Sequence, residues 1–178
     1  MTSTPASERS PSHHDAAGVE WPLKFKSHYF GAACFNTRSC IVLYRDFPHG
    51  AMHEGLSPSV ESTGRSLDQL LTASRGPIPN FPPPAKVTWR SKDGAPHEAH
   101  VDIGEIFRDE LIRHNLAREE IPDSTLASDH SPGIILEVND RTINVYMRAH
   151  ISTKELQEPG NRYSDFRDDL IKVFSRSY

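Results

Sequence analysis

The fold is decided by residues 134–148, which read IILEVNDRTINVYMR. Two apolar runs flank the NDR tripeptide at 139–141, whose residue types favour a tight turn. In the second run, TINVYMR, apolar side chains alternate with polar ones, as in a strand with one buried face. The stretch therefore predicts two antiparallel strands, 134–138 and 142–148, joined as a hairpin.

Two further strand pairs are predicted on the N-terminal side of this hairpin. Residues 25–34 alternate between apolar and polar, and residues 40–44, CIVLY, form an apolar run, so together they indicate a second hairpin. Residues 86–91 and 97–102 form the third pair, with the KDG tripeptide between them as a turn. The alternation in the third pair places Trp89 in the core.

Helices are predicted at three places by their capping residues. Ser66 with Gln69 has the capping-box pattern, and Asp102 with Glu105 predicts a second helix start. A third helix is predicted after Ser164, from apolar residues at helical spacing. These residues are Phe166, Leu170, Val173 and Phe174.

The order of the elements predicts the fold class. Tight turns between consecutive strands imply antiparallel pairing. We therefore expect an α+β fold, with a mainly antiparallel sheet of about six strands and two to three helices packed on it. A sandwich-like arrangement is an alternative within this class, and no β-α-β alternation indicates a parallel sheet. Residues 76–84, with five prolines, predict an extended connector rather than a helix or central strand.

Composition sets the domain organisation and excludes some functions. Residues 1–19 are polar and predict a disordered tail, and residues 20–178 predict a single domain. The net charge of −4 argues against a nucleic-acid partner. No stretch approaches the roughly 20 apolar residues of a membrane helix, so no membrane-spanning segment is expected. The first residues lack signal-peptide features, which predicts a periplasmic location if a native leader is missing and a cytoplasmic one otherwise.

The two cysteines, Cys34 and Cys40, leave two alternatives open. A hairpin between them would bring both sulfurs together, so a disulfide is geometrically feasible, and it would form only in an oxidising compartment. Two buried thiols within a sheet are the other alternative.

The sequence contains no convincing catalytic or metal-binding motif. The segment His97-Glu98-Ala99-His100 is one residue short of the zinc-protease motif and is predicted to be a strand. His49 and His53 are four apart, but the glycines and proline around them disfavour a helix. No nucleophile elbow, phosphate loop or dinucleotide fingerprint occurs. We therefore predict no enzymatic activity, no metal and no cofactor.

Binding of a partner protein is the remaining class of function. The acidic loop between residues 115 and 133 could face a basic partner, which would favour fast and specific association. Amphipathic aromatic side chains are the kind that anchor interfaces. The predicted partner-binding residues are Glu119, Glu120, Asp123, Asp129, Tyr146 and Arg148.

Four segments together give the chain a family resemblance. They are VTWRSKDG at 87–94, VDIGEIF at 101–107, LEVNDRTINVYMR at 136–148 and PGNRYSDFRDDL at 159–170. Over residues 28–178 the chain resembles small Gram-negative bacterial proteins encoded beside lipase-type toxins of the type VI secretion system. Those proteins are taken to be immunity proteins, and no functional residues are carried over from them.

The resemblance implies a non-catalytic protein that binds a cognate effector toxin, a phospholipase, and neutralises it. Binding would cover the active-site cleft of the toxin or lock its lid. One departure is that antidotes to phospholipases are expected in the periplasm behind a leader or lipid anchor, and this chain shows neither.

Two other functions stay open at this point. A small hydrolase or metal-dependent enzyme would need a pocket that holds at least two histidines with an acid or serine. The candidate histidines are His28, His49, His53, His97, His100 and His150. An accessory envelope protein would need Cys34 and Cys40 to be oxidised.

Overall fold

The computed structural model describes residues 21–50, 55–125 and 130–178. The predicted tail, residues 1–19, lies outside them. Within the described residues the chain forms eleven strands in three sheets, so the α+β prediction is wrong and the protein is mostly β. The helices α1 (Leu67–Leu70) and α2 (Ile103–Ile106) have four residues each.

The strands form two main sheets and one short ladder. The bounds are β1 Ser27–Phe35, β2 Thr37–Tyr44, β3 Phe47–His49, β4 Arg75–Pro79, β5 Ala85–Ser91, β6 Pro96–Val101, β7 Gly133–Asn139, β8 Thr142–Arg148, β9 Ile151–Ser152, β10 Phe166–Arg167 and β11 Leu170–Ser177. The five-stranded sheet has the order β11-β8-β7-β1-β4, and the four-stranded sheet has the order β3-β2-β5-β6. Strands β9 and β10 pair only with each other.

Two of the three predicted hairpins are confirmed. Strands β7 and β8 pair antiparallel across a turn in which Asp140 adopts a positive φ of 52°. Strands β5 and β6 pair antiparallel on either side of the KDG turn. Both hairpins have strong turn residues and clear alternation, the two local signals that fix a register.

The predicted hairpin between residues 25 and 44 is wrong. After β1 the chain turns at Asn36, with φ 52°, and β2 enters the other sheet. Strand β1 pairs instead with β7, in parallel, which the sequence did not predict. The two strands are about a hundred residues apart in the chain, so no local pattern marks their contact.

The predicted C-terminal helix is also wrong, because residues 166–177 form β10 and β11. The register of β11 against β8 shifts between Lys172 and Phe174, so Val173 is an extra residue on its strand. Such a bulge breaks the alternation of a strand. The apolar residues around it therefore fall at a spacing that resembles a helix.

Most of the core lies between the two main sheets. Phe30, Leu136 and Val145 contribute from the five-stranded sheet, and Val87 and Trp89 from the four-stranded one. These side chains are at most 1 % exposed. Opposed apolar faces of two sheets form a β-sandwich.

A second, smaller cluster lies on the outer face of the five-stranded sheet, where the segment containing α1 crosses it. Leu71 is fully buried there against Ile135 and Tyr146. The predicted capping box that starts α1 is confirmed, with Ser66 accepting from the Gln69 amide and the Gln69 side chain accepting from the Ser66 amide. A Cβ on Gly31 would lie 2.0 Å from the Thr72 carbonyl oxygen, so only glycine lets this segment approach β1 so closely.

The Cys34 and Cys40 side chains form a disulfide, with Cα atoms 6.3 Å apart, which links the two sheets.

We expect reduction of this bond to lower the free energy of unfolding by about 2 kcal/mol, since the bond closes a short loop of the unfolded chain. Urea denaturation with and without a reductant measures the change. A double variant Cys34→Ser, Cys40→Ser is the control and should not respond to the reductant; equal stability of the oxidised and reduced wild type would contradict the prediction.

Candidate functional site: an ordered acidic face

The loop of residues 153–165 is closed at its base by a short ladder. Strand β9 enters it and β10 leaves it, with Ser152 paired to Phe166 and Ile151 paired to Arg167. Directly inside the ladder, the Thr153 amide donates to the Asp165 carbonyl at 2.8 Å. Every residue from Lys154 to Tyr163 is exposed, so the loop stands out from the sandwich.

Hydrogen bonds inside this loop fix its conformation. The buried Ser164 hydroxyl accepts from the Glu158 amide at 2.9 Å and lies 2.7 Å from the Asn161 carbonyl oxygen, to which it donates. The Gln157 amide donates to the Ser164 carbonyl at 2.8 Å. Ser164, predicted to cap a helix, therefore organises a loop instead. A loop fixed in this way loses little conformational entropy when it binds.

Two large apolar side chains are exposed on this loop. Tyr163 is 68 % exposed and Leu156 is 43 % exposed. The Arg162 guanidinium lies 4.7 Å from the centroid of the Tyr163 ring and holds it by a cation–π contact. Tyrosine is among the residues that contribute most to protein interfaces.

A short acidic segment lies beside the loop. The Lys154 amide donates to the Glu120 carbonyl at 2.8 Å, which ties residues 117–123 to residues 153–169. We call these two ranges together the acidic face. They carry eight acidic and four basic side chains. The face is therefore negatively charged, and it carries two exposed apolar side chains, Leu156 and Tyr163.

The structure brings some of the predicted binding residues together and separates others. Glu119 and Asp123 are exposed on the acidic face, where Asp123 pairs with Arg118 at 3.0 Å. Glu120 is exposed as well, and its carboxylate accepts from the Ala117 amide. Asp129 lies outside the described residues.

Tyr146 is buried, and Arg148 borders the acidic face, where it pairs with Asp168. Tyr146 is 4 % exposed, and its hydroxyl donates to buried Glu137 at 2.9 Å. Arg148 pairs with Asp68 at 3.2 Å and with Asp168 at 3.6 Å, so its charge is already balanced. The sequence reasoning did not single out Leu156 or Tyr163. The sequence feature that could have identified them is the presence of two large apolar residues within the polar stretch 153–165.

The candidate histidines are dispersed, and no group of three or more His, Cys, Asp or Glu side chains in the described residues could hold a metal ion. Three cavities have described linings with one of these histidines each: His49 in one and His150 in the two others. His53 lies outside the described residues. None of these three cavities therefore shows, among its described residues, the two candidate histidines that the hydrolase hypothesis requires.

One serine does contact both an acid and a histidine. The Ser91 hydroxyl donates to Asp93 and lies 2.9 Å from Nε2 of His97. In a catalytic triad the carboxylate binds the histidine, whereas here it binds the serine. Ser91 is fully buried beside the β5–β6 turn, where Asp93 also accepts from the Ala95 amide. This arrangement stabilises the turn.

His28 is fully buried, and both its ring nitrogens are bonded. Nδ1 lies 2.8 Å from Oδ1 of Asn80, and Nε2 lies 2.9 Å from the Tyr44 hydroxyl. Asn80 uses its amide NH₂ to donate to the Phe25 carbonyl, so its Oδ1 is the acceptor for His28. Nδ1 is thus the donor, and a neutral ring accepts at Nε2 from Tyr44. Burial lowers the pKa of His28 in keeping with this neutral form.

This burial predicts that stability falls as the pH falls below about 6.5, the pKa of an unperturbed histidine. There the unfolded chain binds a proton that folded His28 resists, so acid favours unfolding. The loss is at most about 1.4 kcal/mol per pH unit for each such histidine. Burial also lowers the pKa of His49 and of His114, which add to the effect.

Urea denaturation between pH 7.5 and 5.5 measures this loss. A His28→Gln variant should show a shallower pH dependence than the wild type, while the control variant His100→Gln replaces an exposed histidine and should keep it. Parallel curves for wild type and His28→Gln would refute the assignment.

Comparison with known proteins identifies no family for this chain. The chain matches no family model, no curated protein and no solved structure. None of the helices that the structure describes has the length and apolar character needed to cross a membrane.

Proposed function

We propose that this chain is an immunity protein, which binds a cognate antibacterial effector of the type VI secretion system, a phospholipase, and blocks its active site. The observation that carries the proposal is the ordered loop of residues 153–165. It presents Leu156 and Tyr163, both exposed, on a conformation fixed by its own hydrogen bonds. A protruding, pre-organised loop with exposed apolar side chains suits a concave partner such as an enzyme cleft.

The charge of the acidic face supports the same proposal. Its excess of carboxylates favours encounter with a basic rim around the partner site and raises the association rate at low salt. The apolar side chains would then supply most of the binding free energy, because desolvated aromatic and aliphatic anchors dominate interfaces.

The Cys34–Cys40 disulfide supports the periplasm as the compartment in which this chain binds the effector. Disulfides form and persist in oxidising compartments, and the bacterial periplasm is one. A phospholipase toxin would reach its lipid substrate from that side of the membrane.

Co-expression in a susceptible bacterium tests the proposal. The effector encoded beside this chain is directed to the periplasm, with and without this protein directed to the same compartment. We expect growth to be restored and the two proteins to co-purify at one to one. Continued killing with no co-purification would overturn the proposal.

Replacing Tyr163 or Leu156 by alanine should weaken binding to the effector about 10- to 100-fold, the effect of losing an interface anchor. Leu56→Ala is a matched control, since Leu56 and Leu156 are each 43 % exposed and Leu56 lies outside the acidic face. The dissociation constants are measured by biolayer interferometry. Equal losses for Leu56→Ala and Leu156→Ala would show that the loop is not the contact surface.

A further inference from the structure

A second site lies at the opposite edge of the five-stranded sheet from β11, between β3 and β4. Here the edges of the two main sheets leave a cleft of about 740 Å³. This volume is within the range of small-molecule sites, roughly 300–1,000 Å³. The cleft is lined by Arg45 and His49 from the β2–β3 segment and by Arg75 from β4.

No described carboxylate pairs with the cations of this cleft. Within residues 21–50, 55–125 and 130–178, no carboxylate forms an ion pair with Arg45 or Arg75. Asp46, which separates Arg45 from Phe47 in the β2–β3 turn, is not among the described residues that line the cleft. Other arginines of the protein, such as Arg113, Arg148 and Arg167, are paired with aspartates. The unpaired guanidinium groups therefore leave this cleft positively charged.

Phe47 positions two of the groups that line the cleft, the Arg75 guanidinium and the His49 imidazole. The Arg75 guanidinium lies 3.5 Å from the centroid of the Phe47 ring, and the His49 ring lies 5.0 Å from it, edge to face. These contacts restrict both side chains before a ligand arrives, which lowers the entropy lost on binding.

His49 provides the evidence that a polar ligand is missing. Its Nε2 atom is buried and has no hydrogen-bond partner among the described residues. A buried polar atom without a partner is costly, and a turn of the imidazole ring toward the cleft would let a ligand oxygen supply one. Burial and then the positive charge of Arg75 lower the pKa of His49, which agrees with a cleft that lacks a compensating anion.

We infer that the cleft between β3 and β4 binds a phosphorylated small molecule, with Arg45, Arg75 and His49 holding its phosphate group. A carboxylate has two oxygens and is satisfied by one guanidinium fork. Two guanidinium groups and an imidazole nitrogen match the three terminal oxygens of a phosphate monoester better. The remaining volume accommodates the organic part of the ligand. This inference does not depend on the proposed function, because it uses no residue of the acidic face.

Calorimetric titration with three probes tests the inference: phenyl phosphate, inorganic phosphate and benzoate. We expect phenyl phosphate to bind one to one, inorganic phosphate to bind more weakly, and benzoate to bind at least about tenfold more weakly than phenyl phosphate. Arg45→Gln and Arg75→Gln should each weaken phenyl phosphate binding by about tenfold or more. Both arginines are exposed, so these variants retain the fold.

Arg108→Gln is the control, since Arg108 is exposed and forms an ion pair with exposed Glu105, outside the cleft. On binding, the imidazole resonances of His49 should shift in nuclear magnetic resonance spectra. No saturable binding of phenyl phosphate at millimolar concentration, or equal binding by the wild type and both cleft variants, would overturn the inference. Benzoate binding as tight as phenyl phosphate would overturn the assignment of a phosphate.

Discussion

Replacing Trp89 by alanine is expected to lower the free energy of unfolding by about 3–5 kcal/mol, the usual cost of removing a large aromatic side chain from a core. Trp89 is 1 % exposed, and its indole N–H donates to the Asp140 carbonyl at 2.8 Å. It also stacks on His97, with ring centroids 4.9 Å apart. The substitution leaves a cavity between the sheets and an unpaired carbonyl in the β7–β8 turn, so it weakens the contact between the two confirmed hairpins.

The second tryptophan of the chain provides a matched control. Trp21 is 42 % exposed and packs against His114 at the surface, so we expect Trp21→Ala to cost less than about 1 kcal/mol. Urea denaturation followed by far-ultraviolet circular dichroism measures both variants without relying on tryptophan fluorescence. A loss below about 1 kcal/mol for Trp89→Ala would contradict the packing of the two sheets.

Removing the buried carboxylate of Glu137 is expected to have the second largest effect on stability. Glu137 is 2 % exposed on the outer face of the five-stranded sheet, and uncharged donors satisfy it. The Asn144 amide and the Tyr146 hydroxyl both donate to its Oε2 at 2.9 Å. Glu137→Ala leaves both donors buried without an acceptor, and each such donor costs about 1–3 kcal/mol. We expect a total loss of about 3 kcal/mol or more.

Two companion variants make this prediction specific. Glu137→Gln keeps the size and one acceptor oxygen, so it should lose roughly half as much. Glu98→Ala removes an exposed glutamate that pairs with exposed Lys86 at 3.5 Å, and it should cost less than about 1 kcal/mol. Equal stability of Glu137→Ala and Glu98→Ala in urea denaturation would mean that the carboxylate is not held in this network.

The parts of the fold that follow from local patterns could be predicted, and those that rest on distant contacts could not. The hairpins β5–β6 and β7–β8 have clear turns, and Ser66 and Asp102 cap helices as expected. The parallel pairing of β1 with β7 joins residues far apart in sequence, and the bulge at Val173 gives strand β11 the apolar spacing expected of a helix. Tertiary context decided both.

The candidate site was predictable only through its charges. Glu119, Glu120 and Asp123 are acidic residues in a loop, which favours exposure whatever the fold. Exposure of Tyr163 and burial of Tyr146 depend on which surface another segment covers. Leu71 and its neighbours cover Tyr146, whereas nothing that the structure describes buries Tyr163. The same residue type therefore has opposite roles, and no local pattern distinguishes them.

The most direct test of the proposed function is the affinity of the purified, oxidised chain for the effector encoded beside it, with the effector's toxicity abolished by substitution. Isothermal titration calorimetry should give a one-to-one complex with a dissociation constant on the order of nanomolar. The Leu156→Ala, Tyr163→Ala double variant should bind at least about 100-fold more weakly, and rising salt should weaken the wild-type complex. Absence of binding at micromolar concentrations, or full affinity of the double variant, would contradict the proposal that this chain neutralises the effector through its acidic face.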